Sequence, residues 1–352
     1  MKHTQSSHFQ PLNDYVHQVQ RRIGATAAAV YIIHKDTVVN EWYGGRHGSE
    51  PDSRPVDEKT QFNVASIRKT YLGLAISLLI EQGEIHSIDD AICRYLDKDI
   101  PQAEEVTLRH LLTHTHGLME MQGKLVCEFP AGGDWAYRNT GIALLTELVH
   151  QLTGHPLSTY MQRNVFDLYG LHETGWRTEA REEMIYNYYE DPDTWVGPND
   201  STAGDQSNLF ASTRDLAHWG AIHMNKGNIG GDQLIPESVF DRIVSPQTPK
   251  SLPDHEPLNG FIWWLQRDTP MNQLGERLPG GAYQVLGITG CACLVIPEYD
   301  AVVVRMYNQL SNQEGYDYLA DIRQFGNMAG DLLRTFKPSR QDERVCRQYE
   351  KK

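Results

Sequence analysis

The placement of the extended segments constrains the fold most. Apolar, β-branched runs at Ala27 to His34 and Thr37 to Tyr43 stand near one end of the 352-residue chain. Similar runs at Asn259 to Gln266, Ala282 to Gly287, Ala292 to Ile296 and Ala301 to Tyr307 stand near the other. The two ends are expected to contribute to one antiparallel sheet. Helical periodicity fills the rest. Leu12, Tyr15, Val16, Val19 and Ile23 mark a helix over residues 11 to 23, and others are predicted for Leu108 to Thr113, Thr140 to Leu152, Leu157 to Val165, Thr213 to Asn225, Glu237 to Val244 and about Tyr316 to Leu333. The pattern predicts an α+β architecture with an antiparallel sheet flanked by helices, a mainly helical subdomain and a cleft between them. The sheet-bearing part is expected to comprise residues 1–70 and 255–338, and the helical part residues 71–254. Ser339 to Lys352 is charged and apolar-poor, and reads as a frayed tail. With 40% apolar residues the chain can bury one substantial core, and a single domain is expected.

Within that frame, Ser66-Ile67-Arg68-Lys69 carries the clearest chemistry. It follows the extended-looking Phe62-Asn63-Val64-Ala65 and opens a helical run of Tyr71, Leu72, Leu74, Ala75, Leu78 and Leu79 that Gly83 can stop. Ser66 is thus predicted at a helix N-terminus with Lys69 one turn on along the same face. The positive end of the helix dipole favours a developing charge on the serine Oγ and disfavours a proton on the lysine. Burial would lower the lysine pKa further and make a neutral amine available as a base.

Two more segments join this one. Tyr137 and Asn139 fall where the turn-rich loop Glu128 to Gly141 meets the next helix, and Gly287-Ile288-Thr289-Gly290 links two extended runs. With S-x-x-K at Ser66 to Lys69 and Y-x-N at Tyr137 to Asn139, the chain resembles the serine β-lactamase and penicillin-binding-protein superfamily. The likeness is to its class C-like branch of esterases, D-peptidases and amide hydrolases. Family-like phrases at Thr107 to Thr115, Asn208 to Leu216 and Leu294 to Glu298 extend it over nearly the whole chain. The resemblance implies the β-lactamase/transpeptidase-like fold and acyl transfer through a covalent ester on Ser66. Lys69 would take the serine proton, and Tyr137 would relay it to the leaving group and later activate water. Asn139 would contact the substrate amide and hold Lys69, while the backbone N–H groups of Ser66 and Cys291 would form the oxyanion hole. It implies no cofactor.

The third motif departs from the pattern. Where relatives carry Lys-Thr-Gly or His-x-Gly, the preferred register gives Ile288-Thr289-Gly290, and the alternative register Val285-Leu286-Gly287 is also aliphatic at its first position. Ile288, Thr289 and Gly290 are expected to contact substrate. An aliphatic side chain cannot make the charge-assisted bond that holds a β-lactam's carboxylate, unless a cation such as Arg305 reaches the same place. The oxyanion hole needs backbone geometry only, so acyl transfer survives the change. Neutral esters or amides are therefore expected ahead of the two alternatives, a β-lactamase or D-amino-acid peptidase, and a weakly catalytic binding or sensor module.

The remaining features are less directive. A formal charge of −14 without a basic stretch argues against nucleic acid or anionic membrane, and a small ester, amide or peptide is the expected partner. Residues 1–10 contain no apolar export segment, so a cytoplasmic location is expected of the chain as it stands. Many relatives are exported, and a trimmed leader would reverse that expectation. The five cysteines show no disulfide spacing; Cys291 and Cys293 share a strand face and read as packing residues. His110 and His114 have a helical i, i+4 spacing but no acidic partner, so no metal is expected. His116 is placed at the cleft mouth as a substrate contact. Among Trp135, Trp195, Trp263 and Trp264, the adjacent pair Trp263 and Trp264 point to opposite faces, leaving at most one for the cleft. The acidic, aromatic segment Arg177 to Asp205 reads as a solvated loop or as one that sets substrate choice.

Overall fold

The computed structural model describes residues 1–188, 195–269, 272–310 and 314–337. Its main strands are β1 (Lys2–His3), β2 (Ala27–His34), β3 (Thr37–Gly45), β4 (Gln61–Asn63), β5 (Leu209–Ser212), β6 (Trp264–Leu265), β7 (Tyr283–Leu286), β8 (Ala292–Ile296) and β9 (Ala301–Tyr307). The helices that matter for the site are α1 (Gln10–Arg22), α2 (Lys69–Glu81), α3 (Leu108–Leu112), α4 (Asn139–Thr153), α5 (Leu157–Met161), α6 (Thr213–Met224), α7 (Glu237–Val244) and α8 (Tyr318–Thr335).

A seven-stranded sheet runs β1-β3-β2-β9-β8-β7-β6 and is antiparallel except where β1 meets β3. The chain ends meet at its centre, with Ala27–His34 paired along its length with Ala301–Tyr307 and Ile32 opposite Val303. Both faces of β2 are buried, which explains its unbroken apolar run. Ala28, Val30 and Ile32 pack with Leu12, Val16 and Val19 of α1 and with Ile322, Phe325 and Ala329 of α8. Ala27, Ala29, Tyr31 and Ile33 face the opposite layer with α2 and α6. In that layer Trp219 of α6 stacks on Tyr71 of α2 at 3.9 Å and donates its indole N–H to Thr70 Oγ1 at 3.1 Å. Gly220 lets α6 press on the sheet, because a Cβ there would lie 2.6 Å from Val302 Cγ1.

Most of the predicted elements fall within about two residues of their expected bounds, and the departures have local causes. Only Trp264–Leu265 of the Asn259 to Gln266 segment is a strand. Gly260 sits against the Ile243 carbonyl, where a Cβ would come within 2.0 Å, and the chain folds back with its N–H bonded to the Trp263 carbonyl at 3.0 Å. The helix starting at Leu157 widens into a π-turn over Gln162–Phe166. α3 stops at Leu112, and His114 lies beyond it with φ 60°, so His110 and His114 do not share a helix face. The tail at 339–352 lies outside the described residues. Among the described residues no helix is long and apolar enough to cross a membrane.

Helix α2 is buried on nearly every side, and Gly73 is its point of closest approach. A Cβ there would meet the Phe261 carbonyl oxygen at 2.8 Å and Phe261 Cβ at 3.2 Å. Replacing glycine by alanine in a helix normally gains about 1 kcal/mol, whereas overpacking a core costs about 1–3 kcal/mol. The clash is with backbone, which cannot swing aside, so Gly73→Ala is expected to lower the urea midpoint of unfolding; an unchanged or raised midpoint would show that the Phe261 turn yields.

Candidate active site

Strand β4 delivers the chain into the site through Asn63. This buried side chain accepts the Ala65 N–H at 2.9 Å and donates to the Ser207 carbonyl at 2.7 Å. Ala65 is thereby held at φ 48°, a left-handed conformation that costs a non-glycine residue free energy and persists only where its surroundings enforce it. One 3-10 turn, Ala65–Arg68, follows and runs into α2. Ser66 is half-buried at the start of this turn, close to the helix N-terminus expected for it. Asn63 was not singled out by sequence reasoning. Its signal is an asparagine two residues ahead of a turn, an arrangement common to many loops.

Lys69, only 2% exposed, brings the candidate groups together. Its Nζ lies 3.1 Å from Ser66 Oγ and 2.6 Å from Tyr137 OH, and 4.1 Å from the centre of the Tyr137 ring. Burial pulls the Lys69 pKa down to about 7, and the neighbouring Arg68 guanidinium adds to the effect. Burial of its hydroxyl pushes Tyr137 upward, with Ser66 and Arg68 opposing, although the ring itself remains 38% exposed. Arg68 is buried with its nearest acceptor, the Gly204 carbonyl, at 3.5 Å, and its own pKa is lowered by burial. Near neutral pH, Lys69 is therefore in part unprotonated, whereas the upward shift of Tyr137 keeps its hydroxyl protonated.

The β7–β8 hairpin closes the other side. Gly287 packs on the turn leading to Ser66, where a Cβ would lie 2.8 Å from the Val64 carbonyl oxygen and 3.4 Å from Ala65 Cβ. Residues 287–290 form the hairpin's turn between the two extended runs, with Leu286 and Ala292 the last paired residues. Ile288 is 49% exposed in this turn. Thr289 is buried with its hydroxyl 3.2 Å from Cys291 Sγ, so its side chain does not line the cleft. The Gly290 carbonyl faces inward to Arg305, whose Nε donates to it at 2.8 Å. Arg305 is fully buried and paired with Asp321 at 2.5 Å; it does not supply the missing cation. Among the described residues neither the Ser66 nor the Cys291 N–H donates to an oxygen.

The expected hold of Asn139 on Lys69 and the cleft-mouth position of His116 are corrected. Asn139 begins α4 with its side chain exposed, and among the described residues the hydrogen-bonding partners of Lys69 are Ser66 and Tyr137, not Asn139. His116 is buried instead of lining the cleft mouth; its Nδ1 accepts the Leu118 N–H at 2.9 Å and its ring packs on Gly141. No group of three or more His, Cys, Asp or Glu among the described residues is arranged to hold a metal.

Aromatic rings form one wall. Trp264 lies 6.3 Å from Tyr137 with the rings 18° from parallel, and Trp135 lies 5.5 Å from Trp264 and donates to Asn259 Oδ1 at 3.0 Å. Trp263, in the reversal just before β6, is buried in the core. The side chain of Trp195 and residues 189–194 of the Arg177 to Asp205 loop lie outside the described residues.

The family profile for beta-lactamases matches residues 12–326. The chain belongs to the beta-lactamase family. An uncharacterized protein of Alkalihalophilus pseudofirmus is 41% identical over 89% of this chain and 93% of its own length. Among solved structures, a class C beta-lactamase superposes with a TM-score of 0.75 at 16% identity, covering 95% of this chain and 98% of that one. EstCE1, described as a hydrolase with promiscuous acyltransferase activity, superposes with a TM-score of 0.73 at 17% identity, covering 91% and 98%. At these identities the superpositions establish the fold. The antiparallel sheet with helices packed on it is thus the β-lactamase/transpeptidase-like fold.

The Lys69 environment predicts a pH dependence of stability. In the unfolded chain its pKa would be about 10.4, against about 7 when folded. Between these values the unfolded state holds a proton that the folded state lacks, so burying Lys69 costs most stability below pH 7, and the cost fades as pH rises toward 10. Lys69→Met should therefore be most stabilising relative to wild type near pH 6.5. That advantage should shrink toward pH 10, by an amount on the order of a few kcal/mol. Urea titrations of both proteins at the two pH values measure it, and a difference that does not move with pH would show that Lys69 keeps an ordinary pKa.

Proposed function

We propose that the protein is a serine hydrolase that cleaves ester or amide bonds of a small, uncharged substrate through an acyl-enzyme on Ser66. The observation carrying this reading is Lys69 Nζ within hydrogen-bond reach of both Ser66 Oγ and Tyr137 OH, with its pKa brought near neutrality. Neutral Lys69 takes the Ser66 proton as Oγ attacks the substrate carbonyl. The Ser66 and Cys291 N–H groups receive the charge on the carbonyl oxygen. The proton passes from Lys69 through Tyr137 to the leaving group as the carbon–leaving-group bond breaks. Water, deprotonated along the same path, attacks the ester; the acid departs and Ser66 Oγ regains its proton. The raised Tyr137 pKa favours Lys69 as the principal base in the resting protein, with Tyr137 as relay. Because the two groups are in contact, their titrations are coupled.

Substrate polarity follows from the walls. In the preferred register of the third motif Ile288 replaces the relatives' cation, and Trp135, Tyr137 and Trp264 offer apolar faces. This favours a neutral acyl group over a β-lactam or a peptide with a free C-terminal carboxylate. The β-lactamase or D-amino-acid peptidase reading is the second choice, carried by the fold shared with a class C beta-lactamase. A binding module on the same fold would have no use for a serine with a desolvated amine beside it.

Ser66→Ala removes one oxygen from a half-buried position and should leave the protein folded. Hydrolysis of p-nitrophenyl acetate is expected to fall about a thousandfold or more, and a fluorophosphonate should add its mass to wild type and not to the variant. Unchanged turnover by the folded variant would overturn the assignment.

Specificity gives a separate measurement. A charge-assisted hydrogen bond is worth about 1.5–3 kcal/mol, or roughly a tenfold to hundredfold change in affinity. Wild type should hydrolyse p-nitrophenyl acetate with a higher kcat/KM than nitrocefin, and Ile288→Lys should shift that ratio toward nitrocefin. A nitrocefin kcat/KM above that of every simple ester tested would favour the β-lactamase reading.

A further inference from the structure

The buried pair Arg305–Asp321 lies behind the turn that presents the Cys291 N–H. Arg305, on β9, donates its Nε–H to the Gly290 carbonyl at 2.8 Å and its Nη2–H to Asp321 Oδ2 at 2.5 Å. Asp321, on α8, also accepts from Tyr15 OH at 2.6 Å and Tyr316 OH at 2.7 Å. Tyr318, on the same helix, donates its hydroxyl to the Gly287 carbonyl at 3.0 Å. Both flanking carbonyls of the 287–290 turn are thus held from the α8 side.

In a trans peptide the C=O and the following N–H point in opposite directions. Fixing the Gly290 carbonyl toward Arg305 therefore directs the Cys291 N–H away from Arg305, while Gly287, at the other end of the turn, packs against the turn leading to Ser66. Gly290 has φ 85° and no Cβ, so little in its own residue chemistry would hold that peptide plane. An ion pair inside a protein is commonly no better for stability than apolar residues of the same size. A guanidinium that is fully buried and bonded to a turn carbonyl is thus better explained by geometry than by stability.

We propose that Arg305, braced by Asp321, is a positioning residue that orients the Gly290–Cys291 peptide so that the Cys291 N–H can receive the oxyanion. The inference rests on the acyl-transfer reading given above. It assigns Arg305 a contribution that appears when negative charge develops on the carbonyl oxygen, and little part in holding the ground-state substrate.

The test is the neutral pair Arg305→Met with Asp321→Asn, which leaves no unpaired buried charge and keeps an amide oxygen for the tyrosine hydroxyls. With p-nitrophenyl acetate, kcat should fall about tenfold to hundredfold, as expected for a misplaced oxyanion donor. KM should stay within about twofold, and the pH midpoint of kcat should not move, because Lys69 is untouched. A general disturbance of the site would move all three. A wild-type kcat in the folded double variant would overturn the inference. If that pair fails to fold, Arg305→Lys keeps a charge opposite Asp321 but offers one ammonium in place of two directed N–H groups. It should show the same loss in kcat at constant KM, and full kcat would again overturn the inference. Failure of a fluorophosphonate to label Ser66 in wild type would instead overturn the underlying hydrolase reading.

Discussion

The candidate chemistry depends on the burial of one amine. Lys69 begins a helix that is apolar almost all round, enclosed by the α6 layer on one side and the helical region on another. The cost of desolvating its charge changes the group's behaviour: the side chain is brought near neutrality, and the hydroxyls of Ser66 and Tyr137 are its hydrogen-bonding partners. A lysine at the same spacing on an exposed helix would remain protonated and inert as a base. The stacked Tyr71 and Trp219, the close approach at Gly73 and the strained Ala65 can each be read as part of what keeps water away from that amine and holds the serine beside it.

Much of this was legible in the sequence because it is periodic or local. The paired strands at the two ends and the helix after Ser66 follow from spacings of two and 3.6 residues. The S-x-x-K spacing places Ser66 and Lys69 together once the segment is helical, which the apolar periodicity after it predicts. What escaped depends on where the backbone turns. Asn139 shares a motif with Tyr137, yet the turn into α4 leaves one beside Lys69 and the other facing solvent. His116 looked like a cleft residue by position, but its ring is drawn inward against Gly141. The Asn259 to Trp263 reversal is forced by a backbone contact with Ile243, which has no imprint in residue pattern.

The third motif joins the two kinds of information. Its missing cation and its place between two extended runs could be seen at once, whereas the contacts that hold its backbone could not. The bonds that hold this turn reach it from Arg305 and Tyr318, on elements that follow it in the chain. On the proposed reading, side-chain identity at Ile288 would bear on what is recognised, and the backbone of the same turn on whether charge can be stabilised. The two properties are separable, which is how one fold can serve both ester- and lactam-directed members of a family.

The pairing of β2 with β9 also bears on how the molecule is made. The two strands at the centre of the sheet come from opposite ends of the sequence, so β2 has no central partner until almost the whole polypeptide has left the ribosome. During that interval a strand that is apolar on both faces must be shielded or remain collapsed against its neighbours. Non-local pairing of this kind slows folding, and the last strands to emerge are those that carry the 287–290 turn and its Arg305 brace. The segment bearing Ser66, Lys69 and Tyr137 thus leaves the ribosome well before the sheet that encloses it can be completed.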